Sequence, residues 1–274
     1  MELSVRLNVN MPKTERELAF MRDLDMNESW TKRFTDLIDK HVKFKDAKNI
    51  LYINAGTGDH CIAIREKVED KIAIFAACEN DELLKIARDK SAAVRSDVDF
   101  SQIEFEDDSF DSVVADASFT RPTAVEGLLF DAVRVTRPGG RTAVVLPSAG
   151  SFGEIFSLLW EVFFNEDIGG QENIAETMVS DIPSLSHLEE KAEAAGLVEV
   201  KTETVTEAFD FENGNEFIKA PLVSDFLMPV WLESLSEDDK ERVTAQLAQL
   251  IDAEDADLSF RFSVKVTLLT GRKP

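Results

Sequence analysis

The segment ILYINAGTGD occupies residues 50–59 of the chain. Its first four residues form a compact apolar run that is typical of a buried strand, and Gly56 and Gly58 allow the main chain to turn closely against a neighbour or a ligand. Residues 60–67 then have the pattern of a helix start. A strand, a glycine-bearing turn and a helix in this order place backbone N–H groups and a helix N-terminus around a ligand site at the strand end.

Strands and helices continue to alternate after this turn. KIAIFAACE, residues 71–79, predicts a second strand that ends at Glu79, with Asn80 as the cap of the next helix. DSFDSVVADASF, residues 108–119, predicts a further strand, and a helical pattern follows it to about Val135. Alternation of this kind predicts a mainly parallel sheet with right-handed crossovers.

The composition excludes several classes of function. The chain has 274 residues, with 53 acidic and 30 basic side chains, and its net charge of −23 opposes binding to nucleic acid or to an anionic membrane surface. No apolar run approaches the roughly 18 residues of a membrane-spanning helix, and the first residues lack a signal-peptide core. We therefore expect a soluble, cytoplasmic protein. Two cysteines and three histidines without ligand spacing predict neither a disulfide framework nor a metal site.

The acid at the end of the second predicted strand supports a nucleoside ligand. Glu79 lies roughly 20 residues beyond Gly58, a spacing that suits a carboxylate accepting hydrogen bonds from two ribose hydroxyls. Either feature alone is a weak indication, because a glycine-bearing turn after a strand often serves only tight packing. Together, the turn and the acid favour a nucleoside-binding site.

Further motifs point to one family. The chain shows, in order, ILYINAGTGD, Glu79, Asp99-Phe100, IEFEDDSFDSVV from Ile103 and VRVTRPGGRTAVV from Val133. Over about residues 48–147 this set resembles the motifs of class I S-adenosylmethionine-dependent methyltransferases, in particular the small-molecule subgroup allied to the quinone-biosynthesis methyltransferases. The resemblance implies an α/β, Rossmann-like fold with a mainly parallel seven-stranded sheet, one antiparallel edge strand and helices on both faces.

Helical additions are expected around this sheet. The sequence predicts an N-terminal helical cap at residues 1–47 and a Rossmann-like domain at residues 48–274, with helical insertions at about 151–180 and 213–257. The β-rich final run, residues 260–274, predicts the antiparallel strand. The aromatic residues of the insertions fit either an apolar lid over a bound acceptor or helices that bury their aromatic faces against the sheet and one another.

The resemblance implies S-adenosylmethionine as the cofactor, and it assigns the contacts to four places in the chain. These are the first turn for the methionine and ribose (Asn54, Ala55, Gly56, Gly58), the end of the second strand for the ribose hydroxyls and adenine (Glu79, Asn80), a short connection at residues 97–104 for the adenine edge (Asp99, Phe100) and the residues just past the fourth strand, near the transferred methyl group (Asp116, Ser118). The expected role of Asp99, accepting a hydrogen bond from the exocyclic amine of adenine, agrees with its chemistry, because a carboxylate accepts a hydrogen bond from an amine.

Two positions of the first turn depart from the family pattern. Tyr52 stands where the family has an acid, and Asn54 stands where it has its first glycine. Asparagine tolerates positive φ, so Asn54 can keep the backbone path. Methyl transfer depends mainly on in-line placement of the methyl group and its acceptor, so the lack of an identifiable base does not exclude activity. The catalytic residue is unknown at this point, and His60 is interpreted as a partly exposed surface residue.

Two functional hypotheses follow from these observations. The first is methyl transfer from S-adenosylmethionine to a small, partly apolar acceptor. The alternative is a degenerate, non-catalytic nucleoside-binding or regulatory protein that keeps the methyltransferase fold. A nicotinamide-dependent oxidoreductase is disfavoured, because Cys61 stands where the dinucleotide motif requires its third glycine. The sequence predicts no oligomeric state.

Overall fold

The computed structural model describes residues 13–101, 105–168, 172–254 and 259–274. Within these residues, seven strands form one sheet in the order β3-β2-β1-β4-β5-β7-β6. The bounds of the strands are β1 Asn49–Ile53, β2 Ala73–Ala77, β3 Asp99–Ser101, β4 Phe110–Asp116, β5 Thr136–Ser148, β6 Val198–Phe211 and β7 Phe260–Arg272. The Rossmann-like α/β fold and the seven-stranded, mainly parallel sheet are confirmed.

The antiparallel strand is β7, as the final run of sequence predicts, but it is not at the edge. It pairs antiparallel with β5 on one side and with β6 on the other, so β6 forms the edge. Burial explains this order. Phe262, Val264 and Val266 of β7 are fully buried, whereas most side chains in the first half of β6 are exposed. An interior strand needs apolar side chains on its covered face, and an edge strand tolerates charged ones.

Helices cover both faces of the sheet. Their bounds are α1 Glu15–Met21, α2 Lys32–His41, α3 Asp59–Lys67, α4 Asp81–Val94, α5 Val125–Val135, α6 Gly153–Asn165, α7 Glu172–Asp181, α8 Leu185–Ala194, α9 Gly214–Lys219, α10 Met228–Trp231 and α11 Glu237–Glu254, with π-helical segments at Arg22–Thr31 and Leu222–Leu227 and a 3-10 turn at Pro122–Ala124. Helices α5 and α8 pack on one face, and the N-terminal helices, α3, α4 and α6 pack on the other. No helix in the described residues is long and apolar enough to cross a membrane.

The N-terminal helices form one continuous helical run from Glu15 to His41. Thr14 caps it through a capping box with Glu17. Asn27 precedes an apolar helical pattern in the sequence, which predicts it as a helix cap, but this prediction is wrong: the residue lies in the π-helical segment, and its amide donates to Thr57 and Asp59 of the first turn. Ser186, with Glu189 three residues on, predicts a capping box for α8, and this prediction is also wrong, because Ser184 accepts the hydrogen bond from the N–H of His187.

Trp30 anchors the N-terminal run to the rest of the molecule. Its ring is fully buried, with its centroid 5.0 Å from that of Phe34, 5.5 Å from that of Phe209 and 5.9 Å from that of Phe119. These partners come from the same helix, from β6 and from the loop after β4. A buried aromatic ring shared by three elements contributes both apolar area and ring–ring contacts, so it fixes where the N-terminal helix lies on the sheet.

Replacement of Trp30 by alanine is expected to lower the free energy of unfolding by about 3–5 kcal/mol, because the large cavity left at this junction cannot collapse. Urea unfolding followed by far-ultraviolet circular dichroism measures this loss. Trp160→Ala is the matched control: this tryptophan is 51% exposed on α6, and we expect a loss below about 1 kcal/mol. Similar losses for the two variants would contradict the anchoring role of Trp30.

Candidate functional site

The first turn connects β1 to α3 through three residues with left-handed backbone. The φ angles are 58° at Asn54, 57° at Gly56 and 83° at Gly58. Asn54 therefore keeps the backbone path that its family counterpart, a glycine, would take. Its side-chain amide donates to the carbonyl of Asp116 at 3.1 Å and to Oγ1 of Thr120 at 3.3 Å. These bonds tie the ends of β1 and β4 together on the ligand side of the sheet.

Gly58 is required by the close approach of a neighbouring ring. A Cβ on Gly58 would lie 2.7 Å from Cζ of Phe100, closer than any real carbon contact, and the positive φ adds strain for other residues. Phe100 and Asp99 lie in β3, not in the connection that the sequence suggests, and the Phe100 ring is buried while Asp99 is exposed. The adenine contacts expected of these two residues stay predictions.

Glu79 lies directly opposite the first turn. Its Oε2 accepts the backbone N–H of Gly56 at 3.1 Å, so the carboxylate at the end of β2 lies beside the glycine at the end of β1. The neighbouring Asn80 caps α4 by accepting the N–H of Leu83 at 2.9 Å. The structure thus brings the turn, Glu79 and Asn80 to one place, as their positions at the ends of adjacent parallel strands require.

Arg22 is a residue of this site that the sequence does not single out. Its Nη1 lies 2.6 Å from Oε1 of Glu79, and its guanidinium carbon lies 4.3 Å from the ring centroid of Phe119. A Cβ added to Gly56 would lie 3.0 Å from the Nη2 of Arg22, so the guanidinium also lies against this glycine. No spacing could reveal it, because its approach depends on how the N-terminal helix crosses the sheet. The sequence carries only a single arginine among acids in that part of the helix.

Asp116 is the last residue of β4, Ser118 follows this strand, and both are buried. Burial raises the pKa of the Asp116 carboxyl, and the hydrogen bond that its Oδ1 accepts from the N–H of Ser118 at 2.8 Å opposes that shift. Within the described part of the chain, the Oγ of Ser118 and the Nε1 of Trp30 are buried without a hydrogen-bond partner. Buried polar groups left in this condition are uncommon, and they are available to a ligand.

A cavity of about 390 Å³ lies beside the residues that follow β4. Its wall is mainly apolar and includes Trp30, Ser118, Phe119, Phe152, Phe226 and Trp231. Phe119 separates it from the first turn: Arg22 stacks on this ring, and the Phe226 ring lies 5.1 Å from it on the cavity wall. A mainly apolar space of this size suits part of a small organic molecule.

The aromatic residues of the insertions lie in two different environments. Phe152 and Trp231 line the cavity and also pack against each other, with ring centroids 5.2 Å apart. Trp160 and Phe164 of the first insertion are exposed, stack on one another and do not line the cavity. The insertions therefore contribute to the cavity wall through some of their aromatic residues, and their role as a lid over a bound acceptor stays a prediction.

Tyr52 and His60 form a hydrogen-bonded chain behind the turn. The Tyr52 hydroxyl lies 3.0 Å from Nδ1 of His60, whose Nε2 lies 3.4 Å from Asp39 on α2. The hydrogen bond from His60, and then that from Lys67, hold the pKa of Asp39 well below its usual range, while burial raises the pKa of Tyr52. His60 is partly exposed, as the sequence predicts, but its side chain is only 10% exposed and links α3 to α2.

The cysteines and acids provide no metal centre in the described residues. No group of three or more histidine, cysteine, aspartate or glutamate side chains is arranged to hold an ion there. Cys61 and Cys78 are free and buried, and burial raises the pKa of both thiols.

Sequence comparison relates the chain to known methyltransferases. Demethylmenaquinone methyltransferase of Thermus thermophilus is 31% identical over 157 residues, which cover 54% of this chain and 66% of that protein. The ubiquinone/menaquinone biosynthesis C-methyltransferase UbiE of Geobacter sulfurreducens is 26% identical over 132 residues, covering 46% of this chain and 51% of that protein. The chain thus matches less than two thirds of the length of either relative.

Solved structures support the fold. The YcgJ protein of Bacillus subtilis aligns with a TM-score of 0.58 at 15% identity, covering 88% of this chain and 98% of that one. The phosphoethanolamine N-methyltransferase 2 of Haemonchus contortus, in complex with S-adenosylhomocysteine, aligns with a TM-score of 0.55 at 14% identity, covering 95% and 58%. At such identities the likeness concerns the fold alone.

The ubiE/COQ5 methyltransferase family matches residues 20–209, a span that begins at the N-terminal helix and includes all the site residues on β1 to β4. Because this match covers more than half of the 274 residues, and because the turn and Glu79 lie together at the strand ends, the chain belongs to the ubiE/COQ5 methyltransferase family.

Proposed function

We propose that the protein transfers a methyl group from S-adenosylmethionine to a small, partly apolar acceptor held in the cavity beside Phe119. The observation that carries this proposal is the arrangement of two places at the strand ends. One is the position where Glu79 faces the first turn, with its Oε2 3.1 Å from the N–H of Gly56, which is the proposed cofactor cleft, and the other is the cavity lined by Ser118 and Trp30. A cofactor in the first space and an acceptor in the second would meet at the end of β4.

In this proposal the cofactor follows the strand ends. Glu79 accepts hydrogen bonds from the ribose hydroxyls. The backbone of residues 54–58 lies along the methionine part of the cofactor, and the end of β3 borders its adenine ring. Asp116 lies nearest the sulfonium, where a nearby cation favours its ionised form against the effect of burial. Catalysis then rests on proximity and orientation, which alone supply a large part of the rate of a bimolecular transfer.

The acceptor would use the two buried groups that lack partners. The hydroxyl of Ser118 and the indole N–H of Trp30 can each donate to an oxygen on an otherwise apolar molecule. The Thermus thermophilus relative is named for demethylmenaquinone. We therefore propose a ring of this kind, apolar with oxygen substituents, as the acceptor.

The helical additions have distinct roles in this proposal. Of the cap predicted over residues 1–47, residues 13–47 lie in the described part of the chain, and their helix bonds to the first turn through Asn27 and to Glu79 through Arg22. The described residues of the insertions near 151–180 and 213–257 form much of the wall of the cavity.

Substitution Glu79→Gln is expected to weaken S-adenosylhomocysteine binding about 10- to 100-fold, because the neutral amide loses charge-assisted hydrogen bonds to the ribose. Isothermal titration calorimetry measures the dissociation constant. Glu207→Gln is a matched control, since Glu207 also pairs with an arginine of the N-terminal run, Arg33 at 2.7 Å, but far along the chain on β6. If wild type gives no heat with S-adenosylhomocysteine at millimolar concentration, the proposed cofactor is wrong.

Incubation with methyl-labelled S-adenosylmethionine and a reduced, short-chain demethylmenaquinone is expected to yield a methylated product, detected by mass spectrometry. Ser118→Ala should lower kcat/KM for this acceptor about tenfold, through the lost hydrogen bond. Ser157→Ala, an exposed serine on α6 that bonds only to the carbonyl of Gly153 among the described contacts, is the control. Cofactor binding without any product from this acceptor would refute the proposed acceptor.

A further inference from the structure

Arg22 lies across the proposed cofactor cleft. It extends from Glu79, with which it forms an ion pair at 2.6 Å, past the bare backbone of Gly56 to the ring of Phe119. Its side chain is only 12% exposed. A guanidinium held this way is largely removed from water, and its carboxylate partner compensates for the lost hydration.

The two oxygens of Glu79 are both engaged. Oε1 accepts from Arg22 and Oε2 accepts from the N–H of Gly56. Ribose hydroxyls that bind Glu79 compete with Arg22 for the same carboxylate. A ligand that displaced the guanidinium and offered it nothing in return would leave a buried charge without a partner, which is costly.

The other cations near the first turn have partners of their own. Lys90 pairs with Asp23 and Asp59, Arg88 donates to the carbonyl of Phe100, and Arg121 pairs with Glu233 at the cavity rim. Among the described residues around the cleft, Arg22 is the cation whose partner the cofactor itself would take away. The methionine part of the cofactor carries a carboxylate, which is the group that a guanidinium binds best.

We propose that Arg22 determines specificity for the amino-acid part of the cofactor, by exchanging Glu79 for the cofactor carboxylate when the ribose takes Glu79. This inference rests on the proposed function. The exchange needs only a side-chain movement, since Asn27 holds the helix to Thr57 at 3.0 Å and to Asp59 at 2.6 Å. Stacking on Phe119 keeps the guanidinium near the turn while it changes partner.

The proposed exchange predicts that Arg22 affects the affinities of two ligands differently. S-adenosylhomocysteine carries the carboxylate, and 5′-methylthioadenosine has the same nucleoside thioether without the amino acid. In Arg22→Gln, S-adenosylhomocysteine should bind about tenfold more weakly or worse, because the carboxylate loses a charge-assisted partner. Binding of 5′-methylthioadenosine should be unchanged or tighter, because Glu79 has lost its competitor. Arg22→Lys should keep part of the preference for S-adenosylhomocysteine.

Calorimetric titration of the full chain measures both dissociation constants, and circular dichroism verifies that each variant is folded. Arg33→Gln is a closely matched control, because Arg33 also pairs with a glutamate, at 2.7 Å, and also stacks on a phenylalanine, with its guanidinium carbon 4.2 Å from the Phe209 ring, but outside the cleft. It should leave the ratio of the two constants unchanged.

Three results would overturn the proposal. If Arg22→Gln weakens the binding of both probes equally, Arg22 has only a structural role. If the variant binds S-adenosylhomocysteine more tightly, Arg22 only competes with the ligand for Glu79. A change of the ratio in Arg33→Gln as well would show that the effect is not specific to the cleft. If the wild type binds neither probe, the proposed function itself fails; if it binds both with a ratio that Arg22→Gln does not alter, this inference fails alone.

Discussion

Two positions without side chains in the first turn govern the rest of the site. At Gly58 the missing Cβ makes room for the Phe100 ring, and at Gly56 it makes room for the guanidinium of Arg22. The left-handed backbone that these residues share with Asn54 directs the N–H of Gly56 at Glu79. A side chain at Gly58 would displace the Phe100 ring of β3, and a side chain at Gly56 would displace the guanidinium of Arg22 from its position beside Glu79.

The N-terminal helix contributes three side chains that contact the strand ends. Trp30 fixes it over the strand ends, Asn27 bonds it to the first turn, and Arg22 crosses the cleft from above. In a chain with a net charge of −23, Arg22 places a largely buried positive charge beside Glu79. The same helix thus supports the fold, borders the apolar cavity through Trp30 and places a cation at the end of β2.

The two departures from the family pattern have structural explanations. Asn54 has the positive φ of the glycine it stands for, and it uses its side chain to join β1 to β4. Tyr52 is buried, and its hydroxyl is committed to His60 and through it to Asp39, so this position contributes to the attachment of α2 and α3. The side chains at both positions therefore have hydrogen-bond partners within the fold.

The sequence by itself determined the alternation of strands and helices, the first turn, the position of Glu79 and the cap at Asn80, because these depend on local periodicity and on strand ends that meet at one edge of a parallel sheet. Caps within the N-terminal run and before α8 were misplaced, since several polar residues near a helix start compete and packing selects among them. The place of β7 inside the sheet, the chain from Tyr52 to Asp39, the pairing of Arg22 with Glu79 and the cavity behind Phe119 were decided only by the tertiary structure. Each joins residues far apart in the chain, and no local pattern encodes the angle at which one element crosses another.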